Sequence, residues 1–314
     1  MTKTTFVASA MVRPMLEPRL PDWVEPRWFA SKEEALILAP SAEIGWFDLY
    51  NKADMAEVIA AATRLKWLNS IYAGVDGMPL DLLDARGVTF TNGAGINAVT
   101  IAEYVVMAML TLAKGYRDVV RAQDRHEWLQ APPGRAELYE SRALIIGYGA
   151  IGRLVEARLH AFGVGVSVVR RNASADHLGP DQWREHLGDY DWIILALPAT
   201  GETDGLIGAA ELSAMKPTAA LINIARGSIV DQDVLVSALA EKRIGAAFLD
   251  VTTPEPLPAD HPLWALDNAH ISMHLSGQSQ DKMFARSVTR FLVNLDIWHS
   301  GGRVEPQVDL GLGY

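Results

Sequence analysis

The stretch Ala143-Leu-Ile-Ile-Gly147-Tyr148-Gly149-Ala150-Ile151-Gly152-Arg-Leu-Val-Glu-Ala-Arg-Leu159 decides the fold. Its apolar start reads as a buried strand, three glycines at GxGxxG spacing follow, and the remainder has the periodicity of an amphipathic helix. Each glycine has its own task. The first permits a tight turn, the second lets main chain approach a pyrophosphate, and the third lets the helix pack closely on the strand. A helix starting there offers unpaired N–H groups and the positive end of its dipole to phosphates. A glycine-rich turn alone is weak evidence. With a strand before it and a helix after it, it predicts a dinucleotide site along Gly147, Tyr148, Gly149, Ala150, Ile151 and Gly152.

The next strand, expected at Val166 to Val169, runs into Arg170-Arg171-Asn172. An acidic residue at this position would accept hydrogen bonds from the ribose diol of NAD and would repel a 2′-phosphate. Two guanidinium groups do the opposite, offering planar forked donors to phosphate oxygens. The pair predicts a preference for NADP(H), with NAD(H) still possible, and Asn172 can hydrogen-bond either cofactor.

Around this unit, short β-rich runs alternate with helical patterns, the signature of βαβ units and of parallel sheets covered on both faces. One series comprises strand-like Thr5 to Val12, Ala35 to Ala39, Trp67 to Ile71 and Val88 to Thr91, with helices over Ala53 to Arg64 and Leu80 to Ala85. A second comprises Ala143 to Ile146, Val166 to Val169, Trp192 to Leu197, Ala219 to Ile224, Ala247 to Val251 and His270 to Met273. Between them Val99 to Asp124 reads as one long helix, too densely apolar to face solvent on most sides. A last helix, Ser279 to His299, can return the chain to the first series. The fold class is therefore α/β, with two Rossmann-like, doubly wound domains. Residues 1–97 with 279–314 form a discontinuous substrate-binding domain, and residues 98–278 bind the dinucleotide.

Composition narrows the function. The 314 residues are 49% hydrophobic, enough for a core in each domain, and carry a formal net charge of -10. Such a surface repels phosphate polyanions, so neither nucleic acid nor an anionic membrane is an expected partner. There is no cysteine, which excludes disulfides, thiolate metal sites and cysteine nucleophiles, and a cytoplasmic location is the expectation. The N-terminal apolar run stops at Arg13-Pro14 and reads as a strand rather than a leader. The most apolar stretch, Ile101 to Ala113, is broken by Glu103 and too short for a membrane span.

Three polar residues fall at or beyond the ends of later strands, where open α/β sheets place their sites: Arg226, Glu255 and His274. Singly, each has an ordinary structural explanation. Together they supply an anion anchor, a carboxylate and a proton donor, the set that reduction of a 2-oxo acid requires. His270 and His274 lie four apart on an expected strand and so on one face, but without further ligands no metal site is expected.

In the order of these segments the chain resembles the D-isomer-specific 2-hydroxyacid dehydrogenases. The resemblance runs through Ala73-Gly74-Val75-Asp76, Thr91-Asn-Gly-Ala-Gly-Ile-Asn97, Ile101-Ala-Glu103, the glycine motif, Leu197-Pro198-Ala-Thr-Gly-Glu-Thr203 and the segments holding Arg226, Glu255 and His274. It implies that Arg226 binds substrate, that Glu255 pairs with His274, and that His274 is the acid/base of hydride transfer in a cleft between the domains. Main-chain N–H groups at Ala73, Gly74 and Val75 would grip the substrate carboxylate, with Tyr72, where glycine is common, narrowing the pocket. Leu197, Pro198, Thr203, Ile224, Ala225, Arg226, Asp250, His274 and Gly277 would line the cofactor, Asp250 holding the nicotinamide carboxamide. A homodimer through the long helix and the loop with Trp128 is also implied.

The leading expectation is NADPH-dependent reduction of a glyoxylate- or hydroxypyruvate-like 2-oxo acid to the D-2-hydroxy acid. Two alternatives rank lower. One is an NAD-linked, phosphoglycerate-like D-2-hydroxyacid dehydrogenase, disfavoured by the arginine pair and by the absence of an appended regulatory domain. The other is a nucleotide-sensing corepressor-like binding protein, disfavoured by compact length and the lack of low-complexity tails.

Overall fold

A computed structural model describes residues 3–172, 177–279 and 282–313. The chain divides into two compact units, Met1–Asn97 with Ser279–Tyr314, and Ala98–Gln278.

The first unit contains strands β1 (Thr4–Ser9), β2 (Val24–Phe29), β3 (Ile44–Trp46), β4 (Trp67–Asn69) and β5 (Thr89–Thr91). Its helices are α1 (Arg13–Leu16), α2 (Lys32–Leu38), α3 (Lys52–Ala61) and α4 (Leu80–Ala85). All strand pairs are parallel, in the order β2-β1-β3-β4-β5. Both faces of the sheet are buried, as parallel sheets require. Val7 packs with Met55, Val58 and Phe90 on one side, while its neighbours Phe6 and Ala8 pack with Trp46, Trp67 and Phe291 on the other.

The second unit opens with α5 (Ala98–Lys114) and α6 (Tyr116–Asp124). It continues through β6 (Arg142–Ile146), α7 (Ala150–Ala161), β7 (Gly165–Val169), β8 (Trp192–Leu195), α8 (Ala209–Ala214), β9 (Ala220–Asn223), α9 (Gln232–Ala240), β10 (Ala246–Leu249) and β11 (Ala269–Ile271). Its sheet is again parallel, in the order β11-β10-β9-β8-β6-β7. Alternate residues of β6 serve opposite cores: Leu144 and Ile146 join one cluster, Ala143 and Ile145 the other. The strand order reverses between β6 and β8, so a crevice opens beyond their carboxyl ends, where such sheets place ligands. No single helix among the described residues is long and apolar enough to cross a membrane.

Four local expectations are corrected. Ala35 to Ala39 is not a strand but lies largely within α2, which Ser31 caps by accepting from the Glu34 N–H while the Glu34 carboxylate accepts from the Ala30 N–H. The Ser-x-x-Glu start outweighs a short apolar run that periodicity alone cannot assign. β2 and β3 went unforeseen; β2 contains Pro26, which a strand tolerates because β2 is the sheet edge. The expected long helix breaks at Gly115, whose φ of +58° ends α5 and starts α6 at a bend of 71°. His270 and His274 do not share a strand face, because β11 ends at Ile271 and the chain turns before His274. Loss of solvation, with the Arg117 guanidinium second, pushes the His270 imidazole down to about 4, and no metal-binding group exists among the described residues.

The last element, α10 (Lys282–His299), completes the first unit. Its Phe291 is fully buried and stacks at 4.9 Å on Phe6 and 5.1 Å on Trp67, with Trp46 tilted against it at 5.2 Å. Because this ring joins sheet to helix, Phe291→Ala is expected to cost about 3–5 kcal/mol, read as a lower urea midpoint at unchanged slope.

Candidate active site

The glycine turn joins β6 to α7. Gly147 has φ +104°, and a Cβ there would lie 2.5 Å from the Ala196 carbonyl oxygen, so the tight turn excludes any side chain. At Gly152 a Cβ would lie 2.4 Å from the Gly147 oxygen. Gly149 is different. It is exposed, a Cβ there would meet nothing within 4 Å, and it caps α7 without a side-chain hydrogen bond. Two glycines thus allow close packing and one keeps the backbone approachable at a helix N-terminus, features that fit a dinucleotide pyrophosphate. Tyr148 hydrogen-bonds Glu156, and its ring lies 5.0 Å from His177 and 5.3 Å from the Arg153 guanidinium. The Glu156 contact foremost raises the Tyr148 phenol above its ordinary value.

Arg170 follows β7 and is half-buried, its N–H donating to the Leu178 carbonyl, while Arg171 and Asn172 are exposed. Arg171 forms a 2.9 Å ion pair with Glu202. Glu202 belongs to the turn after β8, in which Thr203 accepts from the Thr200 N–H and donates to the Pro198 carbonyl. Leu197 is partly buried and Pro198 exposed on that turn.

Beyond β9, Ile224 and Ala225 are buried and Arg226 is half-buried, its guanidinium donating to the Ala225 carbonyl at 2.7 Å. Asn223 fixes the turn by accepting from the Ala225 N–H and donating to the Arg226 carbonyl. A Cβ on Gly227 would lie 2.2 Å from the Thr252 carbonyl, so only glycine lets the segment after Arg226 pack against the segment after β10. There Glu255 accepts from the Thr252 N–H through one oxygen and meets His274 Nδ1 at 2.8 Å through the other. Glu255 therefore orients the imidazole and leaves Nε2 for other chemistry.

His274 sits in a turn after β11, where Met273 and His274 both adopt left-handed backbone, at φ +54° and +58°. Two consecutive non-glycine residues in this region are strained and persist only when surroundings hold them. Asp250 is what holds them. It is 2% exposed and accepts from the Ser272 hydroxyl at 2.7 Å, the Leu275 N–H at 2.9 Å and the Ser276 N–H at 3.1 Å, while its own carbonyl accepts from the His274 N–H at 2.5 Å. The residue expected to hold a nicotinamide carboxamide, Asp250, thus also supports the histidine turn with its carboxylate. Gly277, partly buried, follows that turn.

In the first unit, Tyr72 and Ala73 are exposed and Gly74 and Val75 partly buried on the loop after β4. The Tyr72 hydroxyl reaches the Leu49 carbonyl at 3.3 Å, and burial leads in raising this phenol. The loop's carbonyls are engaged, Tyr72 accepting from the Gly93 N–H and Ala73 from the Asn92 side chain. The N–H groups of Ala73, Gly74 and Val75 meet no acceptor among the described residues, leaving them for an anion.

A family model described as D-isomer specific 2-hydroxyacid dehydrogenase, NAD binding domain, matches residues 106–276. The chain belongs to the D-isomer-specific 2-hydroxyacid dehydrogenase family. Within it, the chain is 33% identical over 263 residues to glyoxylate/hydroxypyruvate reductase B of Pectobacterium atrosepticum, covering 79% of this chain and 81% of that protein. It is 32% identical over 273 residues to D-3-phosphoglycerate dehydrogenase of Mycobacterium leprae, covering 84% of this chain but only 51% of that relative, so the chain spans about half its length. A crystal structure of a D-isomer specific 2-hydroxyacid dehydrogenase family protein from Aeromonas salmonicida superposes with a TM-score of 0.85 at 29% identity, over 99% of this chain and 100% of that one.

Sequence reasoning missed Glu202 as the counter-ion of Arg171, Asp250 as the support of the histidine turn, and the rings and cations around Tyr148. Only the first had a local sign, an acid inside a stretch already matched to the family.

Proposed function

We propose that this protein reduces small 2-oxo acids of the glyoxylate or hydroxypyruvate kind to D-2-hydroxy acids with NADPH. The observation that carries the reading is the 2.8 Å contact between Glu255 and His274 Nδ1, on the segment after β10 against which Gly227 packs the chain next to Arg226. Arg226 anchors the substrate carboxylate and polarises its oxo group, as a planar guanidinium does. His274, oriented by Glu255, gives its proton to the oxygen that becomes the hydroxyl, and the carboxylate balances the imidazolium before transfer. The family relation supports a role for the main-chain N–H groups of Ala73, Gly74 and Val75 as donors to a substrate carboxylate. Gly147 to Gly152 with Leu197, Pro198, Thr203, Ile224, Ala225 and Gly277 hold the nicotinamide dinucleotide, which supplies the hydride when bound.

Arg170 and Arg171 support the 2′-phosphate, with the Arg153 guanidinium adding positive charge beside Tyr148. A second reading, NAD(H) use as in a phosphoglycerate-like dehydrogenase, is favoured by Glu202, which engages Arg171. Turnover of glyoxylate, hydroxypyruvate, pyruvate and phenylpyruvate with both coenzymes separates the two. Wild type should prefer NADPH, and Arg170→Ala/Arg171→Ala should lose roughly 10- to 100-fold in NADPH kcat/KM with little change for NADH, the scale of hydrogen bonds to a charged group. An NADH preference selects the second reading, and no turnover with either coenzyme refutes both.

The family relation also supports a cytoplasmic homodimer. α5 and α6 expose Met107, Tyr116, Val119 and Val120, and Trp128 beyond them is 90% exposed, apolar surface suited to a second copy. Light scattering should give twice the chain mass, whereas a monomer at micromolar concentration contradicts this assembly.

A further inference from the structure

The loop that offers the N–H groups of Ala73, Gly74 and Val75 is held on one side by Asn92 and Gly93, through its carbonyls. The other side is held by a carboxylate that no step above uses. Asp48, two residues past the end of β3, accepts from the Ser70 hydroxyl at 2.6 Å, from the Ile71 N–H at 2.7 Å and from the Trp46 indole N–H at 2.6 Å. Ser70 relays the contact, since its oxygen accepts from the Tyr72 N–H at 3.1 Å. Trp46 is 2% exposed and locked against Phe291, so the carboxylate ties the loop to a rigid core.

Stability alone does not account for this arrangement. Asp48 has no cationic partner among the described residues, and loss of solvation outweighs its three hydrogen bonds, pushing the carboxyl up to about 6. A carboxylate kept where its charge is disfavoured is a candidate for function. The titratable groups near it are phenols: Tyr72, which feels Asp48 and Tyr50 electrostatically, and Tyr50.

We infer that Asp48 is a positioning residue for the substrate, its ionised carboxylate fixing residues 70–72 so that the N–H groups of Ala73, Gly74 and Val75 converge on the substrate carboxylate. The inference rests on the proposed 2-oxo acid reduction and deepens it. All three neighbours of Asp48 are donors. The ionised form accepts from all of them, the Trp46 and Ile71 N–H groups on Oδ2 and the Ser70 hydroxyl on Oδ1, whereas a proton on Oδ1 reverses the Ser70 hydrogen bond and displaces the hydroxyl hydrogen that the carboxylate holds. Protonation therefore disturbs the Ser70 link to the Tyr72 N–H, while Arg226, Glu255 and His274 lie outside this hydrogen-bond set.

The test compares wild type, Asp48→Asn, Asp48→Glu and Ser70→Ala, measuring KM for the 2-oxo acid, KM for the coenzyme and kcat from about pH 5 to about pH 8. Wild type is expected to show the 2-oxo acid KM rising as pH falls through about 6, the range in which Asp48 takes up its proton. Asp48→Asn should show a KM raised roughly 10-fold and flat with pH, coenzyme KM unchanged and kcat altered less than KM. Asp48→Glu should restore part of the pH dependence. Ser70→Ala keeps the charge and should raise KM more modestly, which keeps the test decisive should Asp48→Asn fold poorly. Wild-type turnover with an unchanged KM and pH profile in both Asp48→Asn and Ser70→Ala overturns the inference alone. No turnover by wild type overturns the proposed reaction, and the inference with it.

Discussion

The Asp250 carboxylate is the constraint on which the rest of the candidate site depends. Buried at the end of β10, it accepts from three groups of the turn after β11, a turn that places Met273 and His274 in left-handed backbone. Left alone, such a turn would relax, because each non-glycine residue in that region costs of order 1–3 kcal/mol. Strand pairing between β10 and β11, with Phe248 opposite His270, fixes the distance from Asp250 to the turn. The imidazole is then delivered to Glu255, which is itself held by the Thr252 main chain. The imidazole thus owes its orientation to a carboxylate that no solvent-facing view of the site would reveal.

The same economy operates at the glycine turn. Close packing of the turn against the Ala196 main chain and of α7 against the turn leaves no volume for side chains at Gly147 and Gly152, and the geometry that results exposes Gly149. Crowding in one direction produces access in the other. Beside it, the charge balance is less simple than a pair of arginines suggests, since Arg171 already shares its charge with Glu202. Under the proposed use of NADPH, coenzyme choice is a competition between a phosphate and a resident carboxylate for one guanidinium.

Much of this was legible in the sequence, for reasons that differ from residue to residue. The β6-α7-β7 unit was clear because glycine spacing reports a steric necessity, and α4 was read at its observed bounds because a polar-apolar period runs between two turn signals. α2 was misread because five residues of apolar character suit either element, and the deciding contact, Ser31 with Glu34, lies before them. The break at Gly115 was hidden because both halves have helical periodicity. Arg226, Glu255 and His274 were singled out by residue type and order, and the structure joins Glu255 to His274. The carboxylates that brace the histidine turn and the loop after β4, Asp250 and Asp48, were not assigned these roles, because the turn and loop groups they hold lie more than twenty residues away in sequence and only the fold brings them together.

The central claim is that a proton held by His274 and oriented by Glu255 completes the reduction of a 2-oxo acid. Its most direct test is the single-turnover rate of NADPH oxidation by a 2-oxo acid in wild type and His274→Gln, with coenzyme binding followed by fluorescence on both. The account predicts a rate lower by roughly 10²- to 10⁴-fold with coenzyme affinity unchanged, the range for loss of a positioned proton donor. A variant that keeps the wild-type rate would contradict it.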